Sequence, residues 1–194
     1  MTQPALSTVP ASDAQNVVAT IVSAFADDPV ERWLWPEERQ YLAHFPRFVE
    51  AFGGPAYAQQ TVWTLGGFSA VALWLAPGSE PDGEAIVAVL TETVSPDKHD
   101  DTFAVLEQMG EGHPVVPHWY LPWLAVEHGS QGGGLGGELL RRCLTRVDES
   151  GLAAFLETPN PRTVGFYEGH GFDVTAIAQA GACPPMTLMM RDPR

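Results

Sequence analysis

Five glycines stand in the seven residues Gln131-Gly132-Gly133-Gly134-Leu135-Gly136-Gly137, between an apolar strand-like stretch, His118 to Val126, and a helical pattern, Leu135 to Val147. Glycines let the main chain approach a ligand with no Cβ in the way. The N–H groups that open the next helix point outward, unpaired, at the positive end of its dipole. A bend of this kind seats a phosphate. Two templates fit its letters. Gly132-x-Gly134-x-x-Gly137 spells a dinucleotide fingerprint, and Glu157 falls about 20 residues later, where that template places an acid on a ribose. Gln131, Gly134 and Gly136 spell Q-x-x-G-x-G instead. A dinucleotide fold needs two further parallel strand-and-helix units, and the 57 residues after Gly137 hold one clear helical stretch, so an NAD-dependent enzyme is the weaker alternative.

Groups able to move a proton gather around the same segments. His118, Tyr120 and Glu127 flank the first apolar stretch, and Glu157 ends a second one, Leu152 to Leu156. Any of them can take a proton directly or through water. Each also has a structural reading: Glu157 can complement the next helix N-terminus, His118 can be a linker histidine, and Glu127 can face solvent. Tyr167 follows Phe166 on a helical stretch, where a tyrosine ring ordinarily packs in the core with its hydroxyl on a partner. His113 and His118 form the histidine pair nearest to a metal site, but no carboxylate or cysteine stands at ligand spacing, and no metal is expected. Neither G-x-S-x-G nor G-x-x-x-x-G-K-[ST] occurs, which leaves a serine hydrolase and a P-loop nucleotidase unsupported.

Elements must hold these groups in place. Asp13 can cap a helix carrying Val17, Val18, Ile21, Val22 and Phe25, ended by Asp27-Asp28-Pro29. A second helix starts at Pro36-Glu37-Glu38 and presents Leu42, Phe45, Phe48, Val49 and Phe52, with Pro46 expected to kink or split it. Gln60 to Leu65 and Ala70 to Leu75, joined across Gly66-Gly67, read as a hairpin. Helical spacing from Glu84 to Met109 breaks at Ser95-Pro96, and Gly110 to Pro117 reads as a linker at a pocket edge. Thereafter the pattern is strand, helix, strand, helix, strand, strand, closing with Phe172 to Ala178 and Pro185 to Met190. An antiparallel start followed by a βαβ centre implies an α/β fold with a mixed sheet and helices on both faces. Pro122 is out of place inside a strand and implies an edge, a bulge or a local splay. Trp33, Trp35, Trp63 and Trp74 can wall a pocket or fill a core.

With 194 residues, one domain spanning 1–194 is expected. Ten basic against 24 acidic residues give a net charge of −14, which disfavours nucleic acid and anionic membranes and attracts a cationic substrate. Cys143 and Cys183 form no C-x-x-C, Met1 to Ala11 carries no basic residue, and no apolar run reaches ~20 residues. A cytoplasmic protein is expected.

The Q-x-x-G-x-G bend, followed after a second strand by Asn160-Pro-Arg-Thr-Val-Gly-Phe-Tyr167-Glu-Gly-His-Gly-Phe172, resembles the GCN5-related N-acetyltransferase (GNAT) superfamily of acyl-CoA N-acyltransferases. Trp119-Tyr-Leu, Ala154-Phe-Leu-Glu-Thr-Pro and Ala70-Val-Ala-Leu-Trp74 are similar to the puromycin N-acetyltransferase group within it. The resemblance implies a GNAT-type mixed, mostly antiparallel twisted sheet with a central parallel βαβ unit. It implies acetyl-CoA as cosubstrate and a small-molecule primary amine as acceptor, in a monomer or homodimer. Gln131, Gly132, Gly133, Gly134, Leu135, Gly136 and Gly137 would wrap the pyrophosphate, and Leu124, Ala125 and Val126 would line the pantetheine arm. The Val126 N–H would face the thioester oxygen. Asn160, when it is not simply a helix-start residue, would bond the pantetheine amide, beside Phe166. Tyr167 would be the general acid, and Glu157 is the first choice of base. Arg141 and Arg142 either reach a 3′-phosphate or decorate a helix. A non-catalytic acyl-CoA-binding sensor of the same fold is the alternative from a different class of function.

Overall fold

Along Ala70–Leu75 the residues Val71, Leu73 and Leu75 alternate with Ala70, Ala72 and Trp74, and all six are buried. A strand buried on both faces must lie inside a sheet covered on both sides. The structure, a computed structural model, describes residues 5–194, so the stretch Met1 to Ala11 lies partly outside the described residues. It shows β1 (Ser7–Thr8), β2 (Val62–Leu65), β3 (Ala70–Leu75), β4 (His118–Val126), β5 (Ala153–Thr158), β6 (Asp173–Ala178) and β7 (Met186–Arg191). Among the described residues these form one sheet in the order β1-β2-β3-β4-β5-β7-β6, antiparallel throughout except for the β4/β5 pair. This is the expected α/β mixed sheet with its parallel centre. The edge strand β1 is short and polar and carries no periodicity by which it could be expected.

One face is covered by α1 (Ala14–Ala24), α2 (Pro29–Leu34), α3 (Glu38–Gly53), α5 (Gly83–Thr93) and α6 (His99–Gly112), with Val71, Leu73 and Leu75 in its core. The other face is covered by α7 (Leu135–Asp148) and α8 (Pro161–Glu168), over Ala70, Ala72 and Trp74. The short helix α4 (Pro55–Ala58) leads into β2. Among the described residues no helix is long and apolar enough to cross a membrane.

Two expectations are corrected and one alternative is decided. Asp27-Asp28-Pro29 is a start as well as a stop, because the Asp28 side chain accepts from the Val30 and Glu31 N–H groups at 3.0 and 3.3 Å and Pro29 opens α2. Pro46 neither splits nor ends α3. An internal proline costs about 3 kcal/mol. Burying Tyr41, Phe45, Phe48, Val49 and Phe52 on one stripe, at roughly 1.5–3 kcal/mol each, outweighs it. Trp35, Trp63 and Trp74, at 0, 4 and 0% exposure, belong to the core and wall no pocket.

Arg191, 5% exposed on β7, forks onto Asp148 at the end of α7 through Nη1 and Nη2 at 2.6 and 2.9 Å, and its Nε donates to the His170 carbonyl. The guanidinium holds the Asp148 carboxyl below the usual carboxylate range, so this stabilisation is present above the unfolded carboxyl pKa and is lost as pH falls through the lower folded value. Asp148→Ala leaves a buried cation uncompensated and is expected to cost about 3 kcal/mol in urea unfolding at pH 7. The difference from the parent should begin to shrink below about pH 4, where the unfolded carboxyl takes up a proton, and fade as pH falls through the lower folded value.

Candidate active site

Strands β4 and β5 pair only through His118↔Ala153, Trp119↔Ala154 and Tyr120↔Phe155. Beyond that point β4 continues to Val126 and β5 to Thr158 without pairing to each other, so the sheet opens into a wedge. Pro122 stands at its root. The β3/β4 register also shifts there, with Leu73 opposite Trp123 but Leu75 opposite Tyr120, leaving one extra residue on β4. A bulge that meets a splay is where a missing strand N–H does least harm, and the proline marks the opening as the sequence reading anticipated.

The wedge leaves main-chain groups free. The Glu127 N–H donates to the Ser69 carbonyl at 2.9 Å, on the β3 side. Successive strand N–H groups alternate between edges, so Val126 and Leu124 turn theirs toward the wedge while Ala125 bonds toward β3. Among the three residues expected along the pantetheine arm, Ala125 therefore offers a side chain and no amide. The Gln131 Nε2 donates to the Val126 carbonyl at 3.1 Å and closes the glycine bend onto the strand end. Gly132 and Gly134 adopt φ of 80° and 79°, the left-handed region, and a Cβ on either would meet nothing within 4 Å. Gly134 is the N-cap of α7 and supplies no side chain, so the Leu135, Gly136 and Gly137 N–H groups have no intrahelical partner. Those amides head a 14-residue helix, beside the positive end of its dipole.

A cavity of about 650 Å³ occupies the wedge. Trp123, Phe48 and Phe52 from one core line it together with Leu121 and Tyr167 from the other, so it passes through the sheet. Gln131, Gly132, Gly134, Leu135, Gly136 and Gly137 border it, as do Asn160 and Phe166, whereas Gly133 does not. The Asn160 side chain caps α8, accepting from the Arg162 N–H at 3.0 Å, which is the helix-start role. Its amide NH2 remains as a donor. Arg141 and Arg142 both pair with Glu138 on the outer side of α7 and do not border the cavity.

Glu157 reaches the cavity with its side chain 5% exposed. His113 Nδ1 lies 3.8 Å from its Oε1, an ion-pair rather than a hydrogen-bond distance. His113 Nε2 meets His118 Nε2 at 3.0 Å, and His118 Nδ1 meets the Val116 carbonyl at 2.7 Å. A carbonyl only accepts, so His118 Nδ1 carries a hydrogen. Burial foremost, and then the neighbouring His113, holds the His118 pKa below its ordinary value and keeps the ring neutral. Its bare Nε2 then accepts from His113 Nε2–H. The partners thus assign both tautomers and leave one proton seat between His113 Nδ1 and Glu157. Sequence spacing brought the two histidines together as a metal question. Their link to Glu157 depends on strand pairing, which spacing does not show. Tyr120 borders the cavity beside Glu157, and burial, the Glu157 charge and a hydrogen bond to it keep the phenol protonated. Glu127 takes no part in the cavity lining.

Tyr167, 9% exposed on α8, lines the cavity, and burial raises its pKa well above the ordinary phenol value. It therefore holds its proton until a stronger base appears nearby. On the far side, Asp27, Asp28 and Glu31 border the same cavity. Their position follows from the unexpected helix α2, and the signal for it was the Asp-Pro-x-Glu start at residues 28–31.

Comparisons with known proteins agree with this geometry. The sequence model described as "Acetyltransferase (GNAT) family" matches residues 81–172, which span the splayed strand, the glycine bend and Tyr167. An uncharacterised N-acetyltransferase of Schizosaccharomyces pombe is 25% identical over 208 aligned positions, covering 95% of this chain and 82% of the relative. A Corynebacterium glutamicum structure described as a histone acetyltransferase and related acetyltransferase superposes with a TM-score of 0.68 at 22% identity, covering 100% of this chain and 98% of the other. A polyamine N-acetyltransferase of Drosophila melanogaster gives 0.68 at 12% identity, covering 97% and 99%. At such identities the two structures speak for the fold alone. The match over residues 81–172, which holds the splayed strand and the glycine bend, makes the chain similar to the GNAT family of acetyltransferases along that stretch.

Proposed function

We propose that this chain transfers an acetyl group from acetyl-CoA to a primary amine of a small cationic molecule, by direct attack and without a covalent enzyme intermediate. The observation that carries the reading is one cavity crossing the sheet, with free amides of a glycine bend at one end and carboxylates at the other. A diphosphate fits the first end, since the bend supplies unpaired N–H donors and open space where side chains would stand. An ammonium fits the second.

Three tasks remain for the residues between. Glu157, with His113 behind it, accepts the proton of the attacking ammonium. The Val126 N–H, turned into the wedge, donates to the thioester oxygen as it gains charge. The nitrogen–carbon bond forms, the carbon–sulfur bond breaks, Tyr167 gives its proton to the sulfur, and the second proton shed by the nitrogen restores the phenol. Leu124 and Val126 hold the pantetheine arm along the unpaired strand edge, with Asn160 and Phe166 on the opposite wall. The excess of 24 acidic over 10 basic residues favours arrival of a cation.

The test is free-thiol release from acetyl-CoA against a panel of primary amines, together with thermal shifts in coenzyme A, acetyl-CoA and NAD. Turnover with at least one amine and stabilisation by both coenzyme A species are expected, with no shift from NAD. Binding without thiol release would leave an acyl-CoA-binding module in place of an enzyme. Gly134→Val forces a β-branched residue into the left-handed region over the diphosphate seat. It is expected to abolish the coenzyme A shift while the protein still unfolds cooperatively.

A further inference from the structure

At the end of the cavity away from the glycine bend, Glu31 in the first turn of α2 is 4% exposed, and its Oε2 is buried with no hydrogen-bond partner. Two neighbouring donors bond elsewhere. The Tyr41 hydroxyl donates to the Val22 carbonyl at 2.7 Å, and Arg32 Nη2 donates to the Pro36 carbonyl at 2.7 Å. Asp28 has a structural duty as the α2 cap, using Oδ1 for two backbone N–H groups. Glu31 has none. A buried carboxylate oxygen without a donor costs the fold more than the place of Glu31 beside the helix dipole returns. A second acid beside it raises that cost. The cavity supplies the missing partner, because Asp27, Asp28, Glu31 and Glu157 all border the same space.

We propose that Glu31, supported by Asp28, is an anchor for a second cationic group of the acceptor, so that the acceptor is a dication. One nitrogen, an ammonium or guanidinium, rests on Glu31 while the other, a primary amine, is presented to Glu157. This deepens the acetyl-transfer reading and rests on it for the reacting end only. A fixed distance between the two acids makes the site a ruler, which selects chain length as well as charge.

The experiment compares α,ω-diaminoalkanes of three to six carbons with n-alkylamines of equal length, in thiol-release assays and in calorimetric binding to the protein with coenzyme A present. For the parent protein, kcat/KM is expected to exceed that of the matched monoamine by about 10- to 100-fold and to pass through a maximum with chain length. Glu31→Gln, which keeps volume and is checked by its melting curve, should raise KM for the best diamine by a similar factor with kcat nearly unchanged, and should leave monoamine kcat/KM within about two-fold. Equal kcat/KM and equal affinity for diamine and monoamine in the parent protein overturn the anchor and leave acetyl transfer standing. Absence of turnover with every amine removes the acetyl-transfer reading, and calorimetric loss of diamine binding in Glu31→Gln then still decides the anchor.

Discussion

Glu157→Gln is expected to lower kcat by about 10²–10³-fold, and to remove the acid limb of the pH–rate profile. The amide keeps the volume and can still accept from the Tyr120 hydroxyl, so the wedge should survive. Only the proton seat is lost. What makes the prediction sharp is the hydrogen-bond sequence behind the carboxylate. The Val116 carbonyl fixes the His118 tautomer, and His118 in turn draws the Nε2 hydrogen of His113, which leaves Nδ1 as the nitrogen facing Glu157. A proton arriving from the substrate amine can then be shared across that 3.8 Å gap and leave through His113, whose side chain is 29% exposed. His113→Gln should consequently slow the reaction by about ten-fold and keep the acid limb, because the first acceptor is still present. If the two losses come out in the reverse order, His113 is the base and Glu157 only orients it. Activity that rises and saturates with pH in Glu157→Gln as it does in the parent would exclude Glu157 from the proton transfer.

How much of this was legible in the sequence depends on the range of the interaction involved. The glycine bend could be read because a phosphate seat is local. Left-handed φ at Gly132 and Gly134 and the uncapped start of α7 are consequences of a few consecutive residues. Pro122 was legible for a similar reason, since a proline inside a strand contradicts its own neighbours. The mixed sheet with a parallel centre followed once the hairpin and the βαβ centre were recognised, but its order did not, because β7 inserts between β5 and β6 and β1 adds an edge through long-range pairing. The acidic end of the cavity was not legible. It is made by a six-residue helix whose stop-like opening hides its cap, and it meets the wedge only through tertiary packing. The tryptophans were open between pocket wall and core, and packing decides for the core: Trp35 and Trp74 are sealed under helices on opposite faces of the sheet. Asn160 shows a third limit, because capping and ligand binding ask for the same side chain, and its carbonyl oxygen is already committed to Arg162.

Tyr167→Phe is expected to retain the fold and the coenzyme A thermal shift while lowering kcat by about 10²–10³-fold. The ring belongs to the core under α7 and α8, in contact with Phe166 and Phe172, and the substitution leaves all of that apolar surface in place. Loss of the hydroxyl alone should therefore cost little stability, unlike a truncation to alanine. Burial holds the phenol protonated far above its ordinary pKa, so the rate should show no alkaline limb from Tyr167 within the working range. A group that protonates the departing sulfur matters only as much as that sulfur needs a proton. An acetyl thioester of an aromatic thiol, whose thiolate is stable unprotonated, should therefore react at nearly the same rate with Tyr167→Phe and with the parent protein. An alkyl thioester should retain the full deficit. Equal deficits for the two donors would mean that the hydroxyl positions the thioester and does not protonate the leaving group, and a rate unchanged with both would exclude Tyr167 from the mechanism.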